Sequence, residues 1–173
     1  MSPELPKSFE LTRHSPTAEE LEFMHEWVKN NLQDGCNVLE FGAGPTTWAI
    51  SKAVKCDNYV VVEDHMPSLK ALMSHMPELK PVTSTWYKIP DDIEYDLVFV
   101  DSSAGYPPGV TGLHRDEAAK YGERLLTQNG YIMLHDWHGR SGSGPRRYLE
   151  STGSYELVAS LNGKTGVGIY RSL

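Results

Sequence analysis

Short apolar runs that each end at a polar residue, separated by segments of helical periodicity, constrain the fold of this chain more than any other feature. Four runs are rich in β-branched or aromatic residues and lead into a polar stretch, so they predict buried strands. They are Asn37–Phe41, Tyr59–Val62, Tyr95–Val100 and Tyr131–Leu134. Strands that alternate with helices imply a parallel sheet covered on both faces. The sequence therefore predicts an α/β fold.

The segments between the strands predict helices. The first begins with a capping box, in which Thr17 accepts from a backbone N–H and Glu20 reaches back, and we expect it to end at Asp34-Gly35. Further elements are predicted as helices at Thr46–Lys55, Pro67–His75, Arg115–Leu126 (ended by Asn129-Gly130) and Arg146–Glu150, and as a weak strand at Pro81–Thr85.

The last part of the chain predicts a hairpin. Two apolar stretches, Tyr155–Leu161 and Gly166–Tyr170, flank Asn162-Gly163. This dipeptide is typical of the tight turn between antiparallel strands. The sequence therefore places an antiparallel pair at the end of the parallel sheet.

Length and charge indicate a single domain and exclude some partners. A chain of 173 residues suits one core, with an arm over residues 1–16 and the domain over 17–173. The formal net charge of -7 argues against nucleic-acid and anionic-membrane partners, which attract clustered Lys and Arg. We expect no membrane span and no signal peptide. With Cys36 and Cys56 interpreted as reduced thiols, we expect a soluble, cytoplasmic protein.

The first strand ends in a turn that suits a ligand. Gly42 and Gly44 allow the backbone to bend tightly and to approach a bound molecule closely. Glu40 lies at the strand end, where a carboxylate can contact a cationic or amine-bearing ligand. Glu63 ends the next strand about 20 residues after the turn, the position of a carboxylate that accepts both ribose hydroxyls of a nucleoside. The adjacent Asp64 is an alternative to Glu63 in this role.

Polar residues also follow the next two strands. Asp101 ends one of them, and His135 and Asp136 end the other, so all three are expected on the ligand edge of the sheet. His135 has the ordinary pKa of a general base, with Asp136 orienting it or acting itself. The alternative is that both residues cap backbone groups. His114, with Arg115, reaches this site if the preceding Gly/Pro-rich loop folds over it as a lid.

A metal site is a further alternative at this edge. Asp101, Asp136 and His138 carry ligand atoms suited to Mg²⁺ or a transition ion. Metal-dependent O-methyltransferases resemble this arrangement, but Trp137 stands where they have Asn. We therefore favour a site without a metal.

The segment Val38-Leu39-Glu40-Phe41-Gly42-Ala43-Gly44 resembles the first motif of class I S-adenosylmethionine-dependent methyltransferases. The resemblance implies a Rossmann-like, doubly wound, mostly parallel seven-stranded sheet with a C-terminal antiparallel hairpin. It also implies a set of cofactor contacts. Glu40, Gly42 and Gly44 line the methionine part, Glu63 holds the ribose, Met66, Thr85 and Trp86 lie along the adenine, and Asp101 faces the sulfonium or the substrate.

One departure from this pattern is shared with a subset of the methyltransferases. Thr46 replaces the usual third glycine, and the string through Thr47 and Trp48 is similar to that of sugar and polysaccharide O-methyltransferases, as is Leu134–Trp137. Thr47 also disfavours NAD, because a dinucleotide fingerprint has a glycine there.

These features predict an enzyme that transfers a methyl group from S-adenosylmethionine to an oxygen or nitrogen of a small molecule or glycan. We expect the arm and the two polar loops, Ser102–Leu113 and Trp137–Pro145, to hold the acceptor. An aminopropyltransferase-like enzyme and a non-catalytic cofactor-binding module are the alternatives, since one fold serves many functions. The sequence fixes neither the acceptor nor the oligomeric state.

Overall fold

A computed structural model describes residues 5–6, 15–63, 65–77, 79–82, 89–102, 115–139 and 143–173. Within these ranges the helices are α1 (Ala18–Asn31), α2 (Pro45–Ala53), α3 (Met66–His75), α4 (Arg115–Glu123) and α5 (Ser143–Thr152). The strands are β1 (Cys36–Phe41), β2 (Cys56–Val62), β3 (Lys80–Val82), β4 (Tyr95–Val100), β5 (Leu126–His135), β6 (Tyr155–Leu161) and β7 (Val167–Ser172). None of the helices in these ranges is long and apolar enough to cross a membrane.

The strands form one seven-stranded sheet in the order β3-β2-β1-β4-β5-β7-β6. The first five strands in this order are parallel, and β7 pairs antiparallel with both β5 and β6. The order reverses direction at β1, between β2 and β4. Ligands of open α/β sheets bind at such a reversal, outside the carboxyl ends of the strands. This arrangement confirms the predicted α/β, Rossmann-like fold and places the glycine turn at the expected edge.

Two apolar cores lie on the two faces of the sheet. On one face, α1 and α2 pack through residues such as Met24 and Ile50 against the strands. On the other, α4 and α5 pack through residues such as Ala118 and Leu149. Since side chains alternate along a strand, the face that carries Met133 also carries His135. That alternation decides the surroundings of the functional residues.

Several boundaries differ from the sequence prediction. Helix α4 ends at Glu123, and Asn129-Gly130 lies inside β5 rather than after the helix. Asn129 has a φ of 63°, and the register of β5 against β4 shifts before Tyr131, so the dipeptide forms an irregularity in the strand. Helix α5 begins at Ser143, which shortens the predicted loop before it. The hairpin is present, and residues 162–166 connect its strands.

Candidate active site

The glycine turn after β1 links the ends of two neighbouring strands. Gly42 has a φ of +97°, and a Cβ atom there would lie 2.8 Å from backbone atoms of Asp101. A side chain is therefore excluded both by conformation and by space. The next amide, that of Ala43, donates to Oε2 of Glu63 at 2.7 Å. The turn thus lies between Asp101 at the end of β4 and Glu63 after β2.

The threonines that replace glycine after the turn have internal partners. The hydroxyl of Thr46 donates to Oε1 of Glu40 at 2.8 Å, and the amide of Gly44 donates to Oγ1 of Thr47 at 3.0 Å. Both threonines are buried. The bond from Thr46 to Glu40 therefore holds the start of α2 against β1. The bond between Gly44 and Thr47 stabilises the conformation of the turn.

Glu40 does not reach the open edge, which corrects the prediction that it contacts a ligand directly. Its carboxyl group is fully buried, and Oε2 accepts from the hydroxyl of Tyr59 at 2.8 Å. Burial raises the pKa of Glu40 to about 8, and the hydrogen bonds from Tyr59 and Thr46 only partly oppose this rise. Glu40 therefore stabilises the turn from inside the protein, through its hydrogen bond with Thr46.

Glu63 follows β2 and lies beside the glycine turn, and its role as a ribose-binding carboxylate stays a prediction. Its Oε2 accepts from Ala43, and its Oε1 accepts from the amide of His65 at 2.6 Å. Both bonds orient the carboxylate beside the turn.

Met66 begins α3 and is 45% exposed, so its side chain is accessible. Asp64, Thr85, Trp86 and His114 lie outside the described residues, as does most of the Ser102–Leu113 loop, and their roles stay predictions.

Arg115, the first residue of α4, joins the ends of β4 and β5. Its Nη2 donates to Oδ1 of Asp101 and lies 2.8 Å from Oδ2 of Asp136. Nε donates to the carbonyl of Ser102 at 2.6 Å, and Nη1 donates to the carbonyl of His135 at 2.7 Å. The guanidinium is nearly buried, so these are charge-assisted bonds in a region of low dielectric. Asp101 and Asp136 are thereby brought together, as predicted for the strand ends.

His135 is placed differently from the prediction of a general base at the open edge. Its side chain is fully buried on the face of the sheet that α1 covers. Nδ1 lies 2.8 Å from Oδ1 of Asp101, and Nε2 lies 3.0 Å from Oγ1 of Thr165. Both ring nitrogens therefore have partners inside the protein. A ring without exposed surface cannot contact a substrate in this arrangement, which corrects its assignment as the base.

The inner end of this network is Glu20. Its Oε1 accepts from the amide of Gly166 at 2.7 Å and from the hydroxyl of Thr165 at 2.9 Å. Its Oε2 accepts from the amide of Thr17 at 2.7 Å, which confirms the predicted capping box. Burial by itself raises the pKa of Glu20, but the bonds from Thr17, Gly166 and Thr165 outweigh it and lower the pKa to about 2.

A metal ion at this edge would compete with Arg115. Ligand atoms of Asp101, His135 and Asp136 lie within 4.8 Å of one another, a spacing that suits a cation. The guanidinium of Arg115 already lies 2.8 Å from both carboxylates and offsets one of their two negative charges. His138, the third predicted ligand, is elsewhere: its Nε2 lies 2.6 Å from Oδ1 of Asn162. The proposed metal set is therefore not assembled as predicted.

Sequence reasoning missed two of the residues in this network. Glu20 is recognisable only as a capping residue, because its second set of partners lies 145 and 146 positions away. Thr165 follows the hairpin dipeptide and carries no motif. The sequence predicts a role for Arg115 only together with a lid, whereas its contacts are with the ends of β4 and β5 in the sheet. The burial of His135 is predictable from the sequence, since strand alternation places it on the same face of the sheet as Met133.

Solved structures share this fold. An O-methyltransferase from Bacillus cereus in complex with S-adenosylhomocysteine is 14% identical, with a TM-score of 0.69 over 94% of this chain and 84% of that chain. A precorrin-6y C5,15-methyltransferase from Geobacter metallireducens is 18% identical, with a TM-score of 0.67 over 94% and 91%. The N-methyltransferase NodS from Bradyrhizobium japonicum, in complex with S-adenosylhomocysteine, is 13% identical, with a TM-score of 0.61 over 92% and 90%.

The chain therefore has a fold that O- and N-methyltransferases also have, and identities of this size establish the fold alone. No protein-family model and no curated protein matches the sequence.

Proposed function

We propose that this chain is an S-adenosylmethionine-dependent methyltransferase that binds its cofactor across the glycine turn, between Glu63 and Asp101. The observation that carries the proposal is the position of the turn, with Gly42 against the backbone of Asp101 and the Ala43 amide on Glu63. Two proteins of the same fold have been solved with S-adenosylhomocysteine, which supports this choice of ligand.

The residues at this edge fit such a cofactor. A Cβ atom built on Gly44 meets no atom within 4 Å, so the backbone is open to a ligand there. Oγ of Ser102 is buried and has no hydrogen-bond partner among the described residues. Oδ2 of Asp101 makes no hydrogen bond with any residue of the described ranges either. The edge thus offers an unused carboxylate oxygen beside the turn, and the neighbouring Ser102 hydroxyl is a buried polar group without a partner among the described residues.

Each residue has a role that follows from its contacts. Glu63, held by two backbone amides, accepts hydrogen bonds from the ribose hydroxyls. Asp101, held through Oδ1, presents Oδ2 to the cofactor or to the acceptor. Asp136 lies beside it on the same guanidinium and is partly exposed. When bound, the cofactor supplies a methyl group on a positively charged sulfur, and the nearby carboxylates favour that charge.

The acceptor is proposed to be an oxygen or nitrogen of a small molecule or glycan. Transfer to either atom releases a proton, and carboxylates at the strand ends are suited to receive it. Arg115 supplies the positive charge between Asp101 and Asp136, so the proposal includes no metal. Turnover that is lost with a chelator and restored by Mg²⁺ would contradict this part.

Titration calorimetry with S-adenosylhomocysteine tests the proposal. The wild-type chain is expected to bind at a single saturable site. Glu63→Gln should bind at least about tenfold more weakly, because charge-assisted hydrogen bonds contribute roughly 1.5–3 kcal/mol each. The matched control is Glu156→Gln, which makes the same change on an exposed carboxylate of β6 and should keep wild-type affinity. Absence of binding by the wild type would reject the proposal.

A screen of methyl acceptors then separates the alternatives. Methyl transfer to any acceptor supports the enzyme. Binding without turnover on every acceptor class would favour a non-catalytic module. Transfer of an aminopropyl group from the decarboxylated cofactor would favour the aminopropyltransferase reading.

A further inference from the structure

The hydrogen bonds from Glu20 through Thr165 to His135 fix where the protons lie. Oε1 of Glu20 accepts from two backbone amides, those of Thr165 and Gly166, and the low pKa of Glu20 keeps the carboxylate ionised. Oγ1 of Thr165 lies 2.9 Å from the same oxygen and must donate to it, since a carboxylate only accepts. The hydroxyl has one proton. Because this proton is directed at Glu20, Oγ1 of Thr165 must accept from Nε2 of His135, which lies 3.0 Å away. Nε2 therefore carries a proton.

The opposite nitrogen of the ring also carries a proton. Nδ1 lies 2.8 Å from Oδ1 of Asp101, and the same oxygen accepts from Nη2 of Arg115 at 2.8 Å. An oxygen that is paired with a guanidinium is an ionised acceptor. Nδ1 must then be the donor. With protons on both nitrogens, the ring is an imidazolium.

The charges around the ring support this state. Glu20 faces it from α1, with Oε2 at 3.8 Å from Nε2, Asp101 faces it from β4, and Asp136 follows it on β5 with Oδ1 at 4.0 Å. Arg115 on α4 is the opposing charge. Burial lowers the pKa of His135, but the bond to Asp101 and the charges of Asp101 and Asp136 outweigh burial and Arg115, so the pKa is raised. The ring therefore holds its second proton to a higher pH than a free imidazole.

We propose that His135 is a positioning residue, a buried imidazolium that shares Oδ1 of Asp101 with Arg115 and leaves Oδ2 of Asp101 for the bound ligand. The role of Oδ2 rests on the proposed function. Two cationic donors on one oxygen fix the orientation of the carboxylate, whose side chain is 16% exposed. The hydrogen bonds from Glu20 through Thr165 to His135 thus set the orientation of the Asp101 carboxylate, although none of these three residues contacts the ligand itself.

Nitrogen-resolved NMR of the ligand-free protein tests the protonation directly. Both ring nitrogens of His135 should show the shifts of protonated nitrogens at neutral pH and should titrate above the range of an unperturbed histidine. Thr165→Val, which removes the hydroxyl and keeps the shape, should shift the titration from its wild-type position. A single neutral tautomer at neutral pH in the wild type would overturn the inference.

Two substitutions at His135 separate positioning from base catalysis. His135→Asn keeps a donor near the position of Nδ1, whereas His135→Leu keeps none, and neither side chain is a base. We expect His135→Asn to bind S-adenosylhomocysteine within about threefold of wild type and His135→Leu to bind about tenfold more weakly, the cost of one charge-assisted bond. Equal affinity of wild type and both variants would overturn the positioning role.

The binding measurements also distinguish the two proposals. Absence of S-adenosylhomocysteine binding by the wild type would reject the proposed function, while the NMR result would still decide the protonation of His135. If His135→Leu does not fold, the NMR titration and His135→Asn carry the test. Failure of one proposal therefore has a different signature from failure of the other.

Discussion

Glu40 shows at the scale of one residue how burial changes the chemistry of a carboxyl group. The sequence predicts its position at the end of β1 correctly, since an apolar run leads to it. Its role could not be predicted, because the partners Tyr59 and Thr46 and the complete loss of exposure are properties of the packed structure. A carboxyl group in such surroundings favours its neutral form.

The pH dependence of stability should report this state of Glu40. Its pKa is raised from 4.5 to about 8 on folding, so the folded protein binds the proton more tightly than the unfolded chain. Glu40 therefore contributes stability at low pH that is lost as the pH rises from the unfolded pKa through the folded one. Glu40→Gln cannot ionise and should gain about 2–4 kcal/mol relative to wild type between about pH 5 and about pH 8.

Urea unfolding of both proteins across this range measures the difference. Contributions from His135 and Glu20 are common to both proteins and cancel in the comparison. A variant whose stability runs parallel to that of the wild type would show that Glu40 is already ionised throughout the range.

At the scale of the elements, Arg115 fastens α4 to the sheet. The helix begins at this residue, and its guanidinium bonds to the backbone of both β4 and β5 as well as to two carboxylates. The contact also explains why the two strand ends are held together in spite of the two negative charges of Asp101 and Asp136 at the edge. Removal of Arg115 leaves Asp101 and Asp136 without their shared cation.

Arg115→Leu should therefore lower the free energy of unfolding by about 3–5 kcal/mol, the usual cost of breaking a buried ion pair from one side. Chemical denaturation measures this change. Arg147→Leu on α5 makes the same substitution at an exposed position and should change stability by no more than about 0.5 kcal/mol. Equal effects at the two positions would show that the buried ion pair contributes little.

The elements also mark the limit of prediction from sequence. The four apolar runs predicted β1, β2, β4 and β5 because parallel strands are buried on both faces and need uniformly apolar residues. The sequence predicts a helix end at Asn129-Gly130, whereas the dipeptide lies inside β5, because it accepts positive φ in a turn and in a strand irregularity alike. The predicted start of α5 at Arg146 is later than the observed start at Ser143, because the sequence before Arg146 is rich in Gly and Ser, which usually mark loops.

At the scale of the whole molecule, Glu20 connects α1 to the hairpin loop between β6 and β7. Glu20 is 145 residues from Thr165 and 146 residues from Gly166 in the sequence, and its hydrogen bonds to them hold α1 against the hairpin loop. A local pattern predicts the capping bond of Glu20 to Thr17, but no local pattern predicts a partner at the other end of the chain. The site is therefore predictable at the strand ends and unpredictable where distant segments meet.

The acid stability of the protein should depend on this connection. The pKa of Glu20 is lowered from 4.5 to about 2 on folding, so its contribution is present above the unfolded pKa and is lost as the pH falls through the folded one. Glu20→Gln should be less stable than wild type by about 2 kcal/mol at neutral pH, and the gap should close as the pH falls towards about 2.

The neighbouring Glu19 supplies the control. It is exposed in the first turn of α1, and Glu19→Gln should show a much smaller change with no comparable pH dependence. A gap between Glu20→Gln and wild type that stays constant in acid would contradict the ionised, bonded state of Glu20.

The distant partners of Glu20 have a consequence for the order of events during protein synthesis. A ribosome delivers the glycine turn, Glu63 and Asp101 well before it delivers Thr165 and Gly166. Until the hairpin has emerged, Glu20 and His135 have no Thr165 to join them, and nothing holds His135 against Asp101 from the far side. Domains generally fold as units, so a domain reaches its final structure only after all of its strands have emerged. A nascent chain of this protein thus carries most of its candidate ligand-binding residues early, but their final geometry is set by a segment that is synthesised after all of them.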